Sequence, residues 1–314
     1  MKKSNIKNRL NTIYIYRLIA AYVHKLLVVI NPLKEINRNY YDRFRKYPDI
    51  KNPKNLVEKT YWLQLNTDTS LWTLCADKYR MREYVRKCGL EGYLPEHLGH
   101  WDKAQEIDFN SLPNSFILKT NNGCGTCFIV KDKNSIDQKS IKKQMKKWMT
   151  IPYGYSGAQL HYTHIKPMVI AEELLTQDDV YEQISPGSMV DFKVWCINGI
   201  PESILITYNR QRDSHNVDLY DTDWIRKKDC INFNGKFNFS DTLVPKPKCL
   251  GEMLEMAKTL SRPFPEVRVD FYVVTGRPII GELTFTAGYG NLTEAYYDEL
   301  GAKINLDVYK KINI

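Results

Sequence analysis

The stretch VRVDFYVVTGRPIIGELTF, Val267 to Phe285, predicts a β-hairpin. Apolar residues occupy every second position on both of its arms, which is the pattern of two half-buried strands. A three-residue loop, Thr275–Arg277, places both apolar sets on the same face, whereas a two-residue loop would break this match. The expected register therefore pairs Val274 with Pro278.

Charged and polar side chains occupy the other face of this hairpin. In the expected register Asp270 lies opposite Glu282, and Arg268 lies opposite Thr284. The Cβ atoms of such facing residues are about 5 Å apart, and like charges directly opposite each other are destabilising, so we expect a cation to bridge the two carboxylates. Magnesium suits such a pair because it prefers hard oxygen ligands and keeps phosphate oxygens in its shell, and Arg268 could hold a phosphoryl group. The alternative is an exposed hairpin with ordinary cross-strand ion pairs.

A second informative stretch, KTNNGCGTCFIV, is a glycine-containing loop between two short apolar strands, FILK and CFIV. Backbone N–H groups of such a loop can converge on an anion beside a lysine. Cys124 and Cys127 allow a zinc or redox interpretation instead. A zinc site needs a second pair of ligands, and the candidates His161 and His164 have a non-standard spacing. A redox pair normally begins a helix, so the loop is better explained as a phosphate cradle.

Composition limits the class of protein. The chain has 314 residues, 43% of them hydrophobic, which is enough to fill one large or two ordinary domains. The formal charge of +9 favours an anionic partner, but no motif combines Lys or Arg with aromatic residues as nucleic-acid-binding modules do. Seven scattered cysteines differ from the framework of a small secreted domain and favour a reducing cytosol.

The N-terminal segment NTIYIYRLIAAYVHKLLVVINPL predicts an amphipathic helix. Arg17, His24 and Lys25 argue against a membrane span, which needs roughly 20 mostly apolar residues. The favoured interpretation is a helix docked on the protein's own core, while the basic head MKKSNIKNR leaves a peripheral membrane contact through residues 1–30 open. The apolar stripe consists of Ile15, Leu18, Ile19, Val23, Leu26, Leu27 and Ile30.

The remaining patterns predict an α+β fold. A helix is expected in DKYRMREYVRKCGL with Asp77 as its N-cap, and another in KSIKKQMKKWM. MVIAEELL is typical of a strand. VDFKVWCINGIPESILITY predicts a second hairpin that turns at Asn198-Gly199.

Taken in order, these motifs resemble the ATP-grasp superfamily, and more narrowly its TupA-like branch, which is named for teichuronopeptide synthesis and is frequent in cell-surface polysaccharide loci. The similarity extends from about Asn55 to the C-terminus. It is carried by NLVEKTYWLQLN, ADKYRMREYV, LPNSFILKTNNGCGT, VDFKVWCING, YDTDW, RVDFY and GELTF. The resemblance implies a nucleotide held between two α+β subdomains, preceded by a helical N-terminal extension.

The resemblance also implies a division of the chain into four parts. Residues 1–55 would form the helical extension and residues 56–115 a small α/β part. Residues 116–185 would form the lid subdomain with the glycine loop, and residues 186–314 the C-terminal subdomain with the metal site.

The resemblance assigns nucleotide contacts to particular residues. Lys78 and Lys119 would reach the phosphates of ATP, and Asp191 would take the ribose hydroxyls, with Lys193 beyond it on the same strand face. Asp179 and Glu182 are alternatives for the ribose. The loop that folds over the phosphates would comprise Asn121, Asn122, Gly123, Gly125 and Thr126, and the adenine hinge would comprise Glu172, Glu173 and Leu175 within Glu172–Leu175.

The metal and substrate groups follow from the same resemblance. Asp270 and Glu282 match the carboxylates that bind one or two Mg²⁺ ions, with Thr284 where asparagine is common in the superfamily. Arg268 matches the arginine near the transferring phosphate. Arg210, assigned with Lys119 and Arg268 to the catalytic set, and Arg212 are candidates for a substrate carboxylate or phosphate, the alternative being two solvated loop arginines.

The implied activity is ATP- and Mg²⁺-dependent carboxylate–amine ligation through an acyl phosphate. By analogy with the family, the acid would be a uronic acid of a capsule, O-antigen or teichuronic-type polysaccharide or its precursor, and the amine an amino acid or amino alcohol. A cytoplasmic protein, peripheral on the inner face of the membrane if its N-terminal helix binds there, is expected. Two alternatives stay open: an inactive nucleotide-binding adaptor of a polysaccharide-assembly complex, and a phosphotransferase or glycosyltransferase-associated enzyme of the same pathway.

Overall fold

The computed structural model describes residues 14–211, 214–233, 237–287 and 289–310. The helices are α1 (Tyr14–Ile30), α2 (Pro32–Phe44), α3 (Leu56–Asn66), α4 (Ser70–Ala76), α5 (Met81–Lys87), α6 (Gln138–Thr150), α7 (Asp179–Ile184), α8 (Leu250–Ser261), α9 (Glu294–Ala302) and α10 (Asp307–Lys310). The strands are β1 (His97–Trp101), β2 (Phe116–Thr120), β3 (Cys127–Val130), β4 (Val169–Glu172), β5 (Asp191–Ile197), β6 (Ile200–Tyr208), β7 (Asn216–Tyr220), β8 (Glu266–Val274) and β9 (Arg277–Thr284).

The described chain divides into two compact units. Unit 1 contains the described residues up to Tyr47, together with Asp77–Tyr79 and Glu96–Leu174. Unit 2 contains Pro48–Ala76, Arg80–Pro95 and the described residues from Leu175 onward. Both units combine helices with an antiparallel sheet, which confirms the predicted α+β class. The four-part division of the sequence stays a prediction.

Unit 1 is built on a four-stranded sheet in the order β1-β4-β2-β3. Helix α6 packs against β2. Its N-terminus is capped by Asp137, whose carboxylate accepts hydrogen bonds from the N–H groups of Lys139 and Ser140. The core of this unit consists of Ala104, Ile107, Phe109, Leu112, Phe116, Leu118, Val130, Ile141, Met145, Val169 and Ala171.

The N-terminal helix corrects one expectation. Helix α1 forms where the periodicity predicts it, but the helix buries Ala21 and Val28 rather than the predicted stripe. Most of that stripe faces solvent: Ile15, Ile19, Val23, Leu26, Leu27 and Ile30 are exposed. The prediction that this stripe docks on the core was wrong, because periodicity locates an apolar face without saying what covers it. No helix in the described ranges is both long and apolar enough to cross a membrane.

Unit 2 is built on a five-stranded antiparallel sheet in the order β7-β6-β5-β8-β9. Asn198 and Gly199 form the predicted turn between β5 and β6, with φ angles of 50° and 78° that suit a two-residue hairpin loop. Helix α8 packs against β5, β6 and β8 through Met253, Ala257 and Leu260.

The helix expected around Asp77 is shorter than predicted. Helix α5 begins at Met81, after Arg80. Asp77 instead accepts a hydrogen bond from the N–H of Tyr79, 2.9 Å away, so it stabilises the turn before the helix. Short polar side chains form such local turns as readily as they cap helices, which is why the motif alone placed the helix start too early.

The hairpin of β8 and β9 has the predicted carboxylate register but a different turn. Thr275 and Gly276 alone form the loop, with φ angles of 50° and 73°, and Val274 pairs with Arg277 rather than with Pro278. A β-bulge at Gly281 then inserts one residue before the base of the hairpin. The bulge compensates for the shorter loop, so Asp270 still lies opposite Glu282 and Arg268 opposite Thr284. In this arrangement Ile280 lies on the buried face.

Candidate active site

In unit 1, strand pairing brings Lys119 and Glu172 together. Lys119 lies near the end of β2, and Glu172 ends β4, the neighbouring antiparallel strand. The Lys119 Nζ is 2.5 Å from a carboxylate oxygen of Glu172, and their side chains are 18% and 5% exposed. The pair therefore fixes an ammonium group at the start of the glycine loop, a partnership that the sequence analysis did not foresee.

The glycine loop is fixed at both ends. Buried Asn121 donates a side-chain hydrogen bond to the carbonyl of Lys166 and accepts one from the N–H of Met168, at 3.0 and 2.9 Å. The hydroxyls of Thr120 and Thr126 lie 2.6 Å apart across the loop. These contacts tie one end of the loop to the segment before β4 and link its two ends to each other.

Gly123 and Lys78 meet in this loop. Lys78 donates from its ammonium group to the Gly123 carbonyl at 3.0 Å, and its N–H donates to the Asn121 carbonyl at the same distance. A Cβ at Gly123 would lie 2.4 Å from the hydroxyl of Thr126, so only glycine fits. Gly125 adopts φ +67°, which also favours glycine, and Asn122 is buried beside them. Lys78 and the loop are thus one structural group, and their nucleotide-binding role stays a prediction.

The two thiols of the loop are free and exposed. The described residues contain no group of three or more His, Cys, Asp and Glu side chains that could hold a metal ion. His161 is fully buried, and burial lowers its pKa to about 3, so its imidazole is neutral at physiological pH. Neither histidine is brought into such a group with Cys124 or Cys127.

The predicted adenine hinge begins at the end of β4. The Glu173 N–H donates to the Glu96 carbonyl at 3.1 Å, and the Glu173 carboxylate accepts from the Glu96 N–H at 2.8 Å. These reciprocal bonds continue the pairing of β4 beyond its last residue. Leu175 is the first residue of unit 2 after this segment.

In unit 2, Asp270 is the centre of a buried ion cluster. The Arg268 Nε and Nη2 donate to the two Asp270 oxygens at 2.6 and 2.7 Å. Lys193, on the adjacent strand β5, donates to Asp270 at 2.5 Å and lies 3.1 Å from Asp191. Arg210, which follows β6, forms an ion pair with Asp191. We call these five residues the charged row; its three cations are balanced by its two anions together with Glu282, which lies 3.8 Å from Arg268.

Burial and neighbouring charges shift the pKa values of the charged row in opposite directions. Burial lowers the pKa of Arg268, but Asp270 outweighs it and holds that pKa above its ordinary value. Burial raises the pKa of Asp191, but Lys193 and Arg210 outweigh it and hold that pKa below its ordinary value. Burial raises the pKa of Asp270, against the opposing effect of Arg268.

Glu282 and Thr284 complete the predicted metal set on β9. The Arg268 Nη2 lies 3.3 Å from the Thr284 hydroxyl and 3.8 Å from a Glu282 oxygen. Arg268 therefore pairs with both carboxylates. Two carboxylates and a hydroxyl are hard oxygen donors, and the Glu282 side chain is one-third exposed, so this donor set fits Mg²⁺ with phosphate oxygens.

The sequence analysis did not identify two further residues on the same face of β8, Tyr272 and Glu266. The pKa of Tyr272 is well above its ordinary value, mainly because of the negative charge of Asp191 and secondly because of burial. Glu266 is fully buried and accepts a 2.9 Å hydrogen bond from the Trp195 indole N–H. Burial raises the pKa of Glu266 to about 8, so it is neutral at pH 7. The alternation that identified Arg268 and Asp270 also contains both residues and could have found them.

Other candidates lie outside this cluster. The Glu182 carboxylate accepts from the Gln177 side chain and the Gly187 N–H, each at 2.8 Å, and so stabilises its own loop. Asp179, the other alternative for the ribose, begins α7. Arg212 lies outside the described residues.

Comparison with known structures found similar chains among ligases. D-alanine–D-alanine ligase from Bacillus anthracis is 15% identical with a TM-score of 0.49, and the match covers 82% of this chain and 78% of that one. The ligase from Helicobacter pylori is 12% identical with a TM-score of 0.41, covering 80% and 67%. ATP-grasp ligase PsnB with its minimal precursor is 15% identical with a TM-score of 0.38, covering 76% and 63%.

A search of curated proteins found no match. Among protein families, TupA-like ATPgrasp matches residues 58–305, which is more than three-quarters of the chain and includes the glycine loop, the charged row and both strands of the metal set. The chain therefore belongs to the TupA-like ATP-grasp family.

Proposed function

We propose that this protein is an ATP- and Mg²⁺-dependent carboxylate–amine ligase. Its acid substrate is a uronic acid of a cell-surface polysaccharide or its precursor, and its amine is an amino acid or amino alcohol. Family membership supports ATP-dependent ligation. Arg210 supports the acid half of the reaction, because its guanidinium is 39% exposed and a planar guanidinium can bind a carboxylate.

The two units supply different groups. Unit 1 provides Lys119 and Lys78, two ammonium groups held at the glycine loop, to bind the phosphates of ATP. Unit 2 provides Arg268, whose planar guanidinium can hold a phosphoryl group while the same side chain bonds to Asp270. Asp191 and Lys193 contribute to nucleotide binding from β5.

The reaction proceeds in two steps. A carboxylate oxygen of the acid attacks the γ-phosphorus of ATP, the bond to the β–γ bridging oxygen breaks, and an acyl phosphate and ADP form. The amine nitrogen then attacks the acyl carbon, phosphate leaves, and the ammonium proton passes to solvent. Lys119 and Arg268 offset the charge on the transferring phosphoryl oxygens, so the catalysis is mainly electrostatic and needs no cysteine nucleophile.

Magnesium would be held by Asp270, Glu282 and the Thr284 hydroxyl, where it would neutralise phosphate charge. Arg210 has a different role. Its side chain is 39% exposed and is paired with Asp191, so it is positioned to take the carboxylate of the acid. ATP and seven unpaired thiols favour the cytoplasm as the compartment.

The proposal is tested with purified protein, ATP, Mg²⁺ and panels of uronic acids and amines, read by mass spectrometry. Hydroxylamine in place of the amine should trap the acyl phosphate as a hydroxamate. We expect an amide, ADP and phosphate from the wild type, and no product from Lys119→Ala. Lys166→Ala, an exposed lysine of unit 1 that pairs with Asp102, is the matched control and should remain active.

Two results would overturn the proposal. A stable phosphorylated product without hydroxamate would identify a phosphotransferase. Binding of ATP without turnover across the panels would identify a nucleotide-binding adaptor.

A further inference from the structure

Helix α1 presents an apolar face to solvent along its whole length. Its side chains follow i, i+4, i+7 spacing and cover an arc of about 120° on the helix surface. This face, the α1 apolar face, consists of Ile15, Ile19, Tyr22, Val23, Leu26, Val29 and Ile30, all at least half exposed. Leu33, at the start of α2, is exposed as well.

The opposite side of α1 attaches the helix to unit 1. Ala21 and Val28 are buried there, and the Lys25 ammonium lies 5.8 Å from the ring centre of Tyr155. The adjoining helix α2 is held by hydrogen bonds from the Arg38 and Asn39 side chains to the Ser156 carbonyl, both 3.0 Å long. The apolar face is therefore held outward by contacts made on the other side of the helix pair.

Positive charge is concentrated in the same segment. The first 34 residues contain seven of the chain's 45 Lys and Arg residues and none of its 36 acidic residues. This segment thus supplies +7 of the net charge of +9, and the remaining 280 residues are nearly neutral. The first acid is Glu35, which is buried and paired with Arg38 and His24, so it does not offset this charge at the surface.

We propose that the α1 apolar face docks on the surface of an anionic phospholipid bilayer, with the helix lying in the plane of the membrane. Helices with an apolar face and an excess of Lys and Arg bind at this interface through apolar burial and attraction to acidic headgroups. A second copy of this chain fits less well, because it would bring two segments of charge +7 together. The inference does not depend on the proposed reaction.

The test is sedimentation of the full-length protein with vesicles of phosphatidylcholine alone, or of phosphatidylcholine with 30% phosphatidylglycerol. We expect at least tenfold tighter binding to the anionic vesicles, and a marked loss of binding at high salt. Ile19→Asp with Leu26→Asp should reduce this binding at least tenfold, with an unchanged melting temperature because both side chains are already exposed.

The matched control is Ile200→Asp with Leu243→Asp. These residues are of the same types and are 59% and 63% exposed, compared with 59% and 60% for Ile19 and Leu26, but they lie in unit 2. The control should bind vesicles as the wild type does. Equal loss in both double variants, or no binding of the wild type to anionic vesicles, would overturn the proposal. A dimer in light scattering that Ile19→Asp with Leu26→Asp converts to a monomer would overturn it in favour of self-association.

Discussion

The guanidinium of Arg268 makes two parallel hydrogen bonds to Asp270, two residues further along the same strand. Side chains two apart on a strand share a face, so alternation places the two groups together. The arrangement fixes the arginine plane and leaves Asp270 ionically paired on two sides, since Lys193 contacts it from β5. The guanidinium plane is thus fixed by contacts within the protein.

Arg268→Lys should lower ATP turnover by on the order of 100-fold, since lysine keeps the charge but cannot make the paired hydrogen bonds. Turnover is measured as ADP release. The control is Arg226→Lys, which alters a similar buried pair with Asp218 on β7 of the same sheet. Equal activities of the two variants would show that Arg268 is structural only.

Glu282→Gln should remove most of the rise in melting temperature that Mg²⁺ and a non-hydrolysable ATP analogue produce in the wild type. The amide keeps the shape of the side chain but loses the negative charge with which the carboxylate attracts Mg²⁺. The measurement is differential scanning fluorimetry with and without Mg²⁺. Glu202→Gln, in an ion pair with Lys303 elsewhere in unit 2, should keep the full rise. An equal rise in melting temperature in Glu282→Gln and in the wild type would contradict the assignment of this residue to magnesium.

Gly123→Ala should weaken ATP binding at least tenfold. The new methyl group would lie 2.4 Å from the Thr126 hydroxyl and 2.8 Å from that of Thr120, so the loop must change shape. Calorimetric titration with the ATP analogue measures the effect. Gly92→Ala, where no atom lies within 4 Å, should bind as the wild type does.

Cys124→Ser with Cys127→Ser should retain full activity and contain no less zinc than the wild type. Both thiols are exposed, and we expect backbone N–H groups, not sulfur, to hold the phosphates. Activity and elemental analysis are the two measurements. Stoichiometric zinc that disappears in the double variant would instead identify a metal site in this loop.

Glu266→Gln should make unfolding less dependent on pH. Burial raises the pKa of Glu266 from 4.5 to about 8, so between these values the folded chain holds a proton that the unfolded chain releases. The contribution of this group to stability is present below pH 4.5 and is lost as pH rises toward 8. Removing the group should reduce the slope of the free energy of unfolding by about 1.4 kcal/mol per pH unit in that window. Denaturant unfolding at several pH values measures it, and Glu255→Gln, exposed on α8, should leave the slope unchanged.

Local sequence patterns predicted the strands and helices of this protein better than they predicted which strands and side chains become neighbours. Alternation located both hairpins and the register of Asp270 with Glu282, because strand periodicity depends only on neighbouring residues. The register of Asp270 with Glu282 was predicted correctly although the turn was not. A two-residue loop followed by a one-residue bulge leaves the same number of residues between Asp270 and Glu282 unpaired as a three-residue loop does. Pairings such as Lys119 with Glu172 depend on which strands become neighbours, and the sequence does not state that order.

The bulge at Gly281 determines where this hairpin can tolerate the loss of a residue. Gly281 is the one residue without a partner between the pairs Phe271–Ile280 and Asp270–Glu282. Its deletion should leave every cross-strand pair of the hairpin in place, whereas a deletion within the paired part of β9 would shift part of that pairing. A side chain at this position would meet the Tyr272 ring at 3.0 Å, so substitution disturbs the site face where deletion need not. Natural variation in length is therefore expected at this position before any other in the paired part of β9.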